Sequence, residues 1–377
     1  MDMLVLAYFS NQEGSMSEAS PNLLPPSVDL ETKAILRKTA SAHRYLAELK
    51  GIAASIPNAD ILITTLGLQE AKDSSEIENI ITTHDELYKA GLFSDFIGGP
   101  AAKEVNRYAV ALRKGFELVR DNQLLTTNLI LEIHRELEQN HGGIRKLPGT
   151  DLKNAQTGEV VYTPPQDHEE IKHLMSNLEQ FINDDTMCEV DPLIKMAVIH
   201  YQFESIHPFY DGNGRTGRMI NILYLVLEDL LNLPVLYLSR YIIRSKSDYY
   251  RLLQETRISG DWEPWILYML DGIENTAQQT IWLIQGIKKL MMDYKHRLRD
   301  ELPKIYSQNL LNLLFRHPYT KIEHVKSELR VTRITATRYL NLLVEKGFVK
   351  KQKIGNYNYY INEPLYDLFL DIPEAKL

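Results

Sequence analysis

Along most of the chain the apolar positions recur at helical spacing. From Asp29 to about Leu49, Ile35, Leu36, Ala42, Leu46 and Leu49 fall on one face of a helix. A second helical run covers Asp60 to Ala71. The polar cluster Lys72 to Asn79 predicts its end and the start of a third helix, through Ile80 toward Leu87. Gly98, Gly99 and Pro100 break the pattern, after which Lys103 to Asp121 aligns Val105, Tyr108, Leu112 and Phe116, and a short helix runs from Thr126 to Glu138.

The period changes between Gly142 and Pro165. That segment is rich in turn formers, and Val160, Val161, Tyr162 and Thr163 suit a short hairpin. Helical pattern resumes from His168 to Asp184 and from Asp191 to Ile206, where Pro192 fits a first turn. Pro208 ends that helix and pushes His207 out of helical geometry. Met219 to Leu231 is apolar nearly all round and predicts a buried central helix. Tyr237 to Arg257 is aromatic and basic, and Trp262 to Arg299 is one long amphipathic stretch. The last unit predicts helices over Gln308 to Arg316, Lys321 to Leu329 and Thr335 to Lys346, then extended pieces from Phe348 to Ile354 and Asn358 to Ile361 around a turn at Gly355 and Asn356. Three helices and a hairpin predict a winged helix-turn-helix, with Arg333 just before the third, recognition helix and Arg338 on it. The fold class expected is mainly all-α, a helical core with a small β-hairpin flap and a C-terminal winged helix.

Composition fits that picture. The chain has 377 residues, 44% hydrophobic and 24% charged, room for roughly two or three domains. We divide it into a ragged tail over 1–25, an N-terminal helical region over 26–100, a core over 101–275, a linking helix over 276–302 and the winged-helix unit over 303–377. Cys188 is the only cysteine, so no disulfide closes within the chain, and a reducing cytoplasm is the expected compartment. Met1 to Phe9 is apolar but too short to span a bilayer and has no basic start, so neither a signal peptide nor a membrane anchor is expected. A net charge of −8 argues against a protein that coats nucleic acid over its whole surface. The average conceals a contrast: residues 303–361 carry eleven Lys or Arg against three Asp or Glu, a net +8, leaving −16 elsewhere. Duplex DNA is therefore a partner to consider for the winged helix, beside protein docking or simple solvation.

The chemistry concentrates in His207, Pro208, Phe209, Tyr210, Asp211, Gly212, Asn213, Gly214, Arg215, Thr216, Gly217 and Arg218. Glycines let backbone amides approach a ligand, and amides entering a helix make a site for phosphate oxygens. Asp211 is a hard oxygen donor suited to magnesium. Arg215 and Arg218, three apart on the following helix, point the same way and both reach one polyphosphate. His207 is the one group here that exchanges a proton near neutral pH. A plain interhelical turn would account for the glycines but asks for neither the histidine nor the paired arginines.

This stretch fills every specified position of His-Pro-Phe-x-Asp-Gly-Asn-Gly-Arg-x-x-Arg, and with it the chain resembles the Fic family, mostly protein adenylyltransferases that move AMP from ATP to a target hydroxyl and release pyrophosphate. The resemblance extends over about 25–90, similar to an N-terminal region of one branch, and about 100–270, similar to the helical core. It implies that His207 is the general base, that Asp211 holds the Mg2+ bridging the α and β phosphates, and that Gly212, Asn213 and Gly214 supply the anion hole. Arg215 would take the β phosphate and Arg218 the γ phosphate. The segment 144–165 matches the family's flap, with Val161, Tyr162 and Thr163 docking the target as an added strand; an ordinary surface hairpin is the other reading. Gln202, Ser245, Tyr249 and Tyr250 are expected nucleotide contacts, though tyrosines there also suit a core.

Ser74, Glu78 and Asn79 fit the family's inhibitory pattern, a Ser or Thr, three residues, a Glu, then Gly or Asn. Ser75 and Glu78 are also spaced as a helix capping box. The resemblance implies that Glu78 pairs with Arg218 and excludes the γ phosphate, which makes the intact protein an autoinhibited adenylyltransferase. A protein substrate, self-modification and a homodimer are the partners it implies. A hydrolase removing AMP on the same fold, and a nucleotide-sensing DNA-binding regulator, are the alternatives.

Overall fold

A computed structural model describes residues 20–90, 99–154, 157–354 and 357–373. Residues 1–19 of the expected tail, Gly98 of the expected break, and the expected turn at Gly355 and Asn356 lie outside the described residues. Among the described residues fifteen α-helices and five short strands follow in order: α1 (Lys33–Ala53), α2 (Ala59–Ile77), α3 (His84–Ala90), α4 (Pro100–Asn122), α5 (Thr127–Glu138), β1 (Leu152–Lys153), β2 (Val160–Tyr162), α6 (His168–Asn183), α7 (Pro192–Ile206), α8 (Asn213–Leu227), α9 (Leu238–Arg244), α10 (Lys246–Ser259), α11 (Glu263–Glu301), α12 (Gln308–Arg316), β3 (Tyr319–Thr320), α13 (Ile322–Leu329), α14 (Arg333–Glu345), β4 (Lys350–Ile354), β5 (Tyr357–Ile361) and α15 (Glu363–Leu370). The mainly helical class is as the periodicity predicts.

Helix starts follow local chemistry. Thr126 caps α5, Asp167 caps α6 and Asp191 caps α7, each side chain accepting from a first-turn amide, and Pro192 enters α7 where no amide hydrogen is needed. One start is read differently by the sequence and the structure. The polar cluster after Ala71 does not open a helix; α2 continues through it to Ile77. The amides of Glu78 and Ile80 both close on the carbonyl of Ser75, so Ser75 and Glu78 end a helix and do not form an N-terminal capping box. Asn79 then adopts a left-handed φ of 64°. That conformation suits Gly or Asn at a helix C-terminus, which gives a physical reason for the last position of the pattern at 74–79.

At the centre, α7 is buried from Leu193 to Ile206 and packs along α8, so two helices buried nearly all round share the middle where the sequence predicts one. Helix α1 lies along α11, and Trp265 of α11 donates from Nε1 to the carbonyl of Ala197 in α7 at 2.8 Å. Helix α4 crosses α5 and α8 at Gly115, where a Cβ would sit 2.8 Å from Leu223 Cδ1 and 2.9 Å from Ile133 Cδ1. Helix α11 runs unbroken from Glu263 to Glu301 through the expected core boundary.

In the C-terminal unit the strands form an antiparallel sheet of order β3-β5-β4. Strand β3 and helix α15 are additions to the predicted elements; both are too short to show a period. The unit closes on the N-terminal helices through Tyr88 of α3. Its ring lies 5.0 Å from His317, 6.1 Å from Tyr319, 5.9 Å from Tyr366 and 6.3 Å from Phe369, centroid to centroid. Its hydroxyl accepts from Nε2 of Gln69 in α2 at 2.7 Å, and the Tyr319 hydroxyl donates to Asp85 at 2.6 Å.

Candidate active site

Helix α7 stops at His207, whose φ of 50° is left-handed where a residue before proline is expected to be extended. Its amide still closes on the carbonyl of Phe203 at 3.0 Å, so the turn projects the ring as the helix ends. His207 is 1% exposed, and burial pushes its imidazole down to about 4, keeping it neutral at physiological pH. A neutral imidazole is the form that accepts a proton.

The loop from Pro208 to Gly212 is pinned at several points. Asn213 uses its side chain on the loop itself, accepting from the Phe209 amide and donating to the Phe209 carbonyl, each at 2.8 Å. Gly212, with φ 75°, precedes α8, and a Cβ there would meet Oε1 of Glu138 at 2.5 Å. Phe209 stacks on His134 at 3.8 Å, and the same histidine lies 2.9 Å from the carbonyl of Asp211. The Tyr210 hydroxyl accepts from the amides of Lys146 and Leu147 at 2.8 and 3.0 Å, which ties the loop to the base of the hairpin.

Arg145 completes that tie. It is 0% exposed, its amide donates to the Pro208 carbonyl and its Nε to the His207 carbonyl, both at 2.9 Å, while Nη2 donates to the Pro165 carbonyl. One buried guanidinium thus fastens both ends of the hairpin segment to the turn carrying His207. The hairpin pairs Leu152 with Tyr162 and Lys153 with Val160. The Tyr162 hydroxyl donates to the Ser205 carbonyl at 2.8 Å, with Arg257 3.6 Å over its ring. The carbonyl of Val161 accepts from Gln254 at 3.3 Å and Thr163 donates to Asp151 at 2.9 Å.

The two arginines are buried, each side chain 2% exposed, and both meet Glu78 at the end of α2. Glu78 Oε2 accepts from Arg215 Nε and Oε1 from Arg218 Nη2, each at 2.7 Å. Ser74 accepts from Arg218 twice, through Oγ at 2.8 Å and its carbonyl at 2.9 Å. Arg215 is further held by Glu104 at 2.5 Å and Glu138 at 3.0 Å, with Asp211 at 3.7 Å. Burial, with the neighbouring Asp211, Glu104 and Glu78 carboxylates, pushes Glu138 up to about 7 against the pull of Arg215. Asn79, one residue on, receives Lys246 at 3.4 Å.

The four outlying candidates have internal partners. Gln202 donates to the Asn22 carbonyl at 2.8 Å, and Ser245 bonds the Tyr241 carbonyl at 2.8 Å and the Tyr268 hydroxyl at 2.9 Å. Tyr249 lies 2.8 Å from His200 Nε2, and Tyr250 packs edge-on against Tyr249; both rings are buried. Four residues that touch the motif carry no sequence signal: Glu104, Glu138, His134 and Arg145 come from α4, α5 and the hairpin base, and only packing brings them together.

Asp211 meets the requirement for a magnesium ligand as far as one carboxylate can. Its side chain is 41% exposed beside the start of α8. A magnesium ion held by one protein carboxylate takes its other oxygens from phosphate and water. Among the described residues no cluster of three or more metal-ligating side chains forms.

Residues 36–117 match the sequence profile described as the Fic/DOC family N-terminal region, residues 124–225 the Fic/DOC family itself, and residues 290–365 the C-terminal domain of SoFic-like protein adenylyltransferases. The chain belongs to the Fic/DOC family. The protein adenylyltransferase Fic of Aedes aegypti is 29% identical over 165 residues, 44% of this chain and 31% of that protein. The Drosophila melanogaster protein of the same name is 24% identical over 189 residues, 49% of this chain and 36% of that one. This Fic chain thus spans about a third of the length of the curated relatives it matches. In fold it is similar to a Fic family protein of Desulfovibrio desulfuricans, with a TM-score of 0.57 at 20% identity over 90% of this chain and 98% of that one. Fic-1 of C. elegans gives 0.50 at 18% identity, covering 67% and 73%. None of the described helices is long and apolar enough to cross a membrane.

Proposed function

We propose that this chain is an autoinhibited protein adenylyltransferase. His207 takes the proton of a target Ser, Thr or Tyr hydroxyl, the oxygen bonds to the α phosphorus of ATP, and the bond from that phosphorus to the pyrophosphate oxygen breaks. Magnesium, held through Asp211, would neutralise phosphate charge. Amides at the start of α8 and the guanidinium groups of Arg215 and Arg218 bind the polyphosphate. The hairpin with Val161, Tyr162 and Thr163 presents the target as an added strand, and a residue of a second copy or of this chain itself is an acceptor of the same chemistry.

The observation that carries the reading is the single carboxylate of Glu78 on both motif arginines, at 2.7 Å each, beside a neutral buried His207. A γ phosphate needs the guanidinium that Glu78 occupies. The test is incorporation of label from ATP carrying radioactive α phosphate. Glu78→Gly protein is expected to label itself far more than the unaltered chain, and adding His207→Ala to lose about 10²-fold or more of that signal. Equal labelling of the unaltered and Glu78→Gly proteins refutes the autoinhibition. Labelling that survives His207→Ala refutes the base.

A further inference from the structure

The C-terminal unit meets the rest of the chain through α12, α15, His317 and Tyr319, on the side of α2, α3 and α11. Helix α14 packs chiefly on α13, and strand β4 pairs with β5 alone. What α14 shows to solvent is Arg333, Ile334, Arg338 and Asn341, with Glu345 at its far end, and Ile334 is 84% exposed at the helix start, where it has no part in any core. Lys350, Lys351, Gln352 and Lys353 are exposed along β4, as are Lys326 and Arg330 at the end of α13.

Two of these cations have acidic partners, Arg333 with Glu323 at 2.6 Å and Lys350 with Glu363 at 2.6 Å. Among the described residues Lys326, Arg330, Arg338, Lys351 and Lys353 have no ion pair. They belong to the segment with net charge +8 in a chain whose remainder carries −16. Solvated charge spread for solubility would not be sorted this way. A helix with one exposed face, an exposed apolar residue and polar side chains at its start, flanked by a basic hairpin, has the chemistry of a reader of the major groove.

We infer that α14 and the β4–β5 hairpin form a binding site for duplex DNA. The start of α14 enters the major groove, with Arg338 and Asn341 toward base edges and Ile334 toward thymine methyls, while Lys351 and Lys353 lie on the flanking phosphates. This goes beyond the adenylyl-transfer reading and does not depend on it, since no motif residue takes part.

The experiment is fluorescence anisotropy of the full chain with a labelled random-sequence duplex of about two helical turns. Binding is expected near micromolar Kd at low salt, with log K falling against log salt at a slope of about −0.9 for each phosphate neutralised. The double variant Lys351→Glu, Lys353→Glu should weaken binding at least tenfold and flatten that slope by about 2. Arg338→Glu should weaken it comparably. All three positions are exposed, so circular dichroism and thermal melting should match the unaltered chain. Absence of binding at low salt overturns the inference and leaves the basic face to an acidic protein surface. Binding that these substitutions leave unchanged overturns it as well.

Discussion

Glu78 and Arg218, 140 positions apart in the chain, lie 2.7 Å apart between Oε1 and Nη2, and the other oxygen of the same carboxylate holds Arg215. Both arginines project from one face of α8, so a single group at the end of α2 engages the pair. Ser74, one turn earlier, adds two bonds to Arg218. The end of α2 therefore holds the arginine pair at two points, the latch that the proposed autoinhibition requires.

Removing one point should loosen the latch without opening it. Ser74→Ala deletes the acceptor of Arg218 Nε and leaves Glu78 in place. Labelled-ATP incorporation should rise by about 10- to 150-fold, since a hydrogen bond to a charged group is worth about 1.5–3 kcal/mol, and should stay below that of Glu78→Gly. A rise equal to that of Glu78→Gly would mean that Ser74 carries the latch.

Arg215 meets four carboxylates, Glu78, Glu104, Glu138 and Asp211, with which a phosphate bound as proposed would compete. In the Glu78→Gly background, Glu104→Gln keeps the shape and removes one competing charge from a bond of 2.5 Å. The KM for ATP should fall by about 3- to 10-fold with kcat little changed. A higher KM would show that Glu104 aims Arg215 at the nucleotide.

Stability should fall as pH drops below about 6.5. Burial pushes His84 and His207 down to about 4 and His200 and His317 to about 3, so the unfolded chain takes up those protons first and gains on the folded one. Glu70 and Glu138, pushed up chiefly by burial to about 7, act in the opposite sense, and their contribution is lost as pH rises from about 4.5 to 7. Four histidines outweigh two carboxyls, so the urea midpoint should decline between pH 6.5 and 5. Transfer by Glu78→Gly protein should keep its acid limb below the ordinary imidazole value of about 6.5, because His207 stays neutral. An acid limb at or above that value would contradict the burial of the base.

Tyr88 joins α2 to the C-terminal unit through one hydroxyl and four rings. Tyr88→Ala should cost about 3–5 kcal/mol by chemical denaturation, as expected for a buried aromatic truncated to a methyl. Tyr88→Phe should cost only about 1 kcal/mol, the bond from Gln69. Near-equal costs would place the energy in the hydrogen bond.

Much of the fold is legible in the sequence because its helices are long and amphipathic, with caps at Thr126, Asp167 and Asp191. The end of α2 is misread because Lys72 to Asn79 is polar, and polarity reads as a boundary. Ser74 and Glu78 among them are polar because they meet Arg218, and Ser74 and Ser75 are 0% exposed. The same clash of local and tertiary signals hides α15 and β3, which are too short to show a period and form on surfaces supplied by α11 and β5.

The sequence by itself determined the candidate site from His207 to Arg218, which we propose binds phosphate. Its chemistry is contiguous, and each residue type there answers a local demand: a proton acceptor, a hard oxygen, close backbone approach, and two cations on one helix face. It also determined that 74–79 is either a capping box or a latch. Only the tertiary structure excluded the capping box, by placing Glu78 at a helix C-terminus facing α8. The same holds for Glu104 and Glu138 on Arg215 and for Arg145 behind His207. Such carboxylates and cations look like ordinary surface residues until the packing of α4, α5 and the hairpin removes them from water, and a buried charge persists only where a partner of opposite sign or a carbonyl meets it.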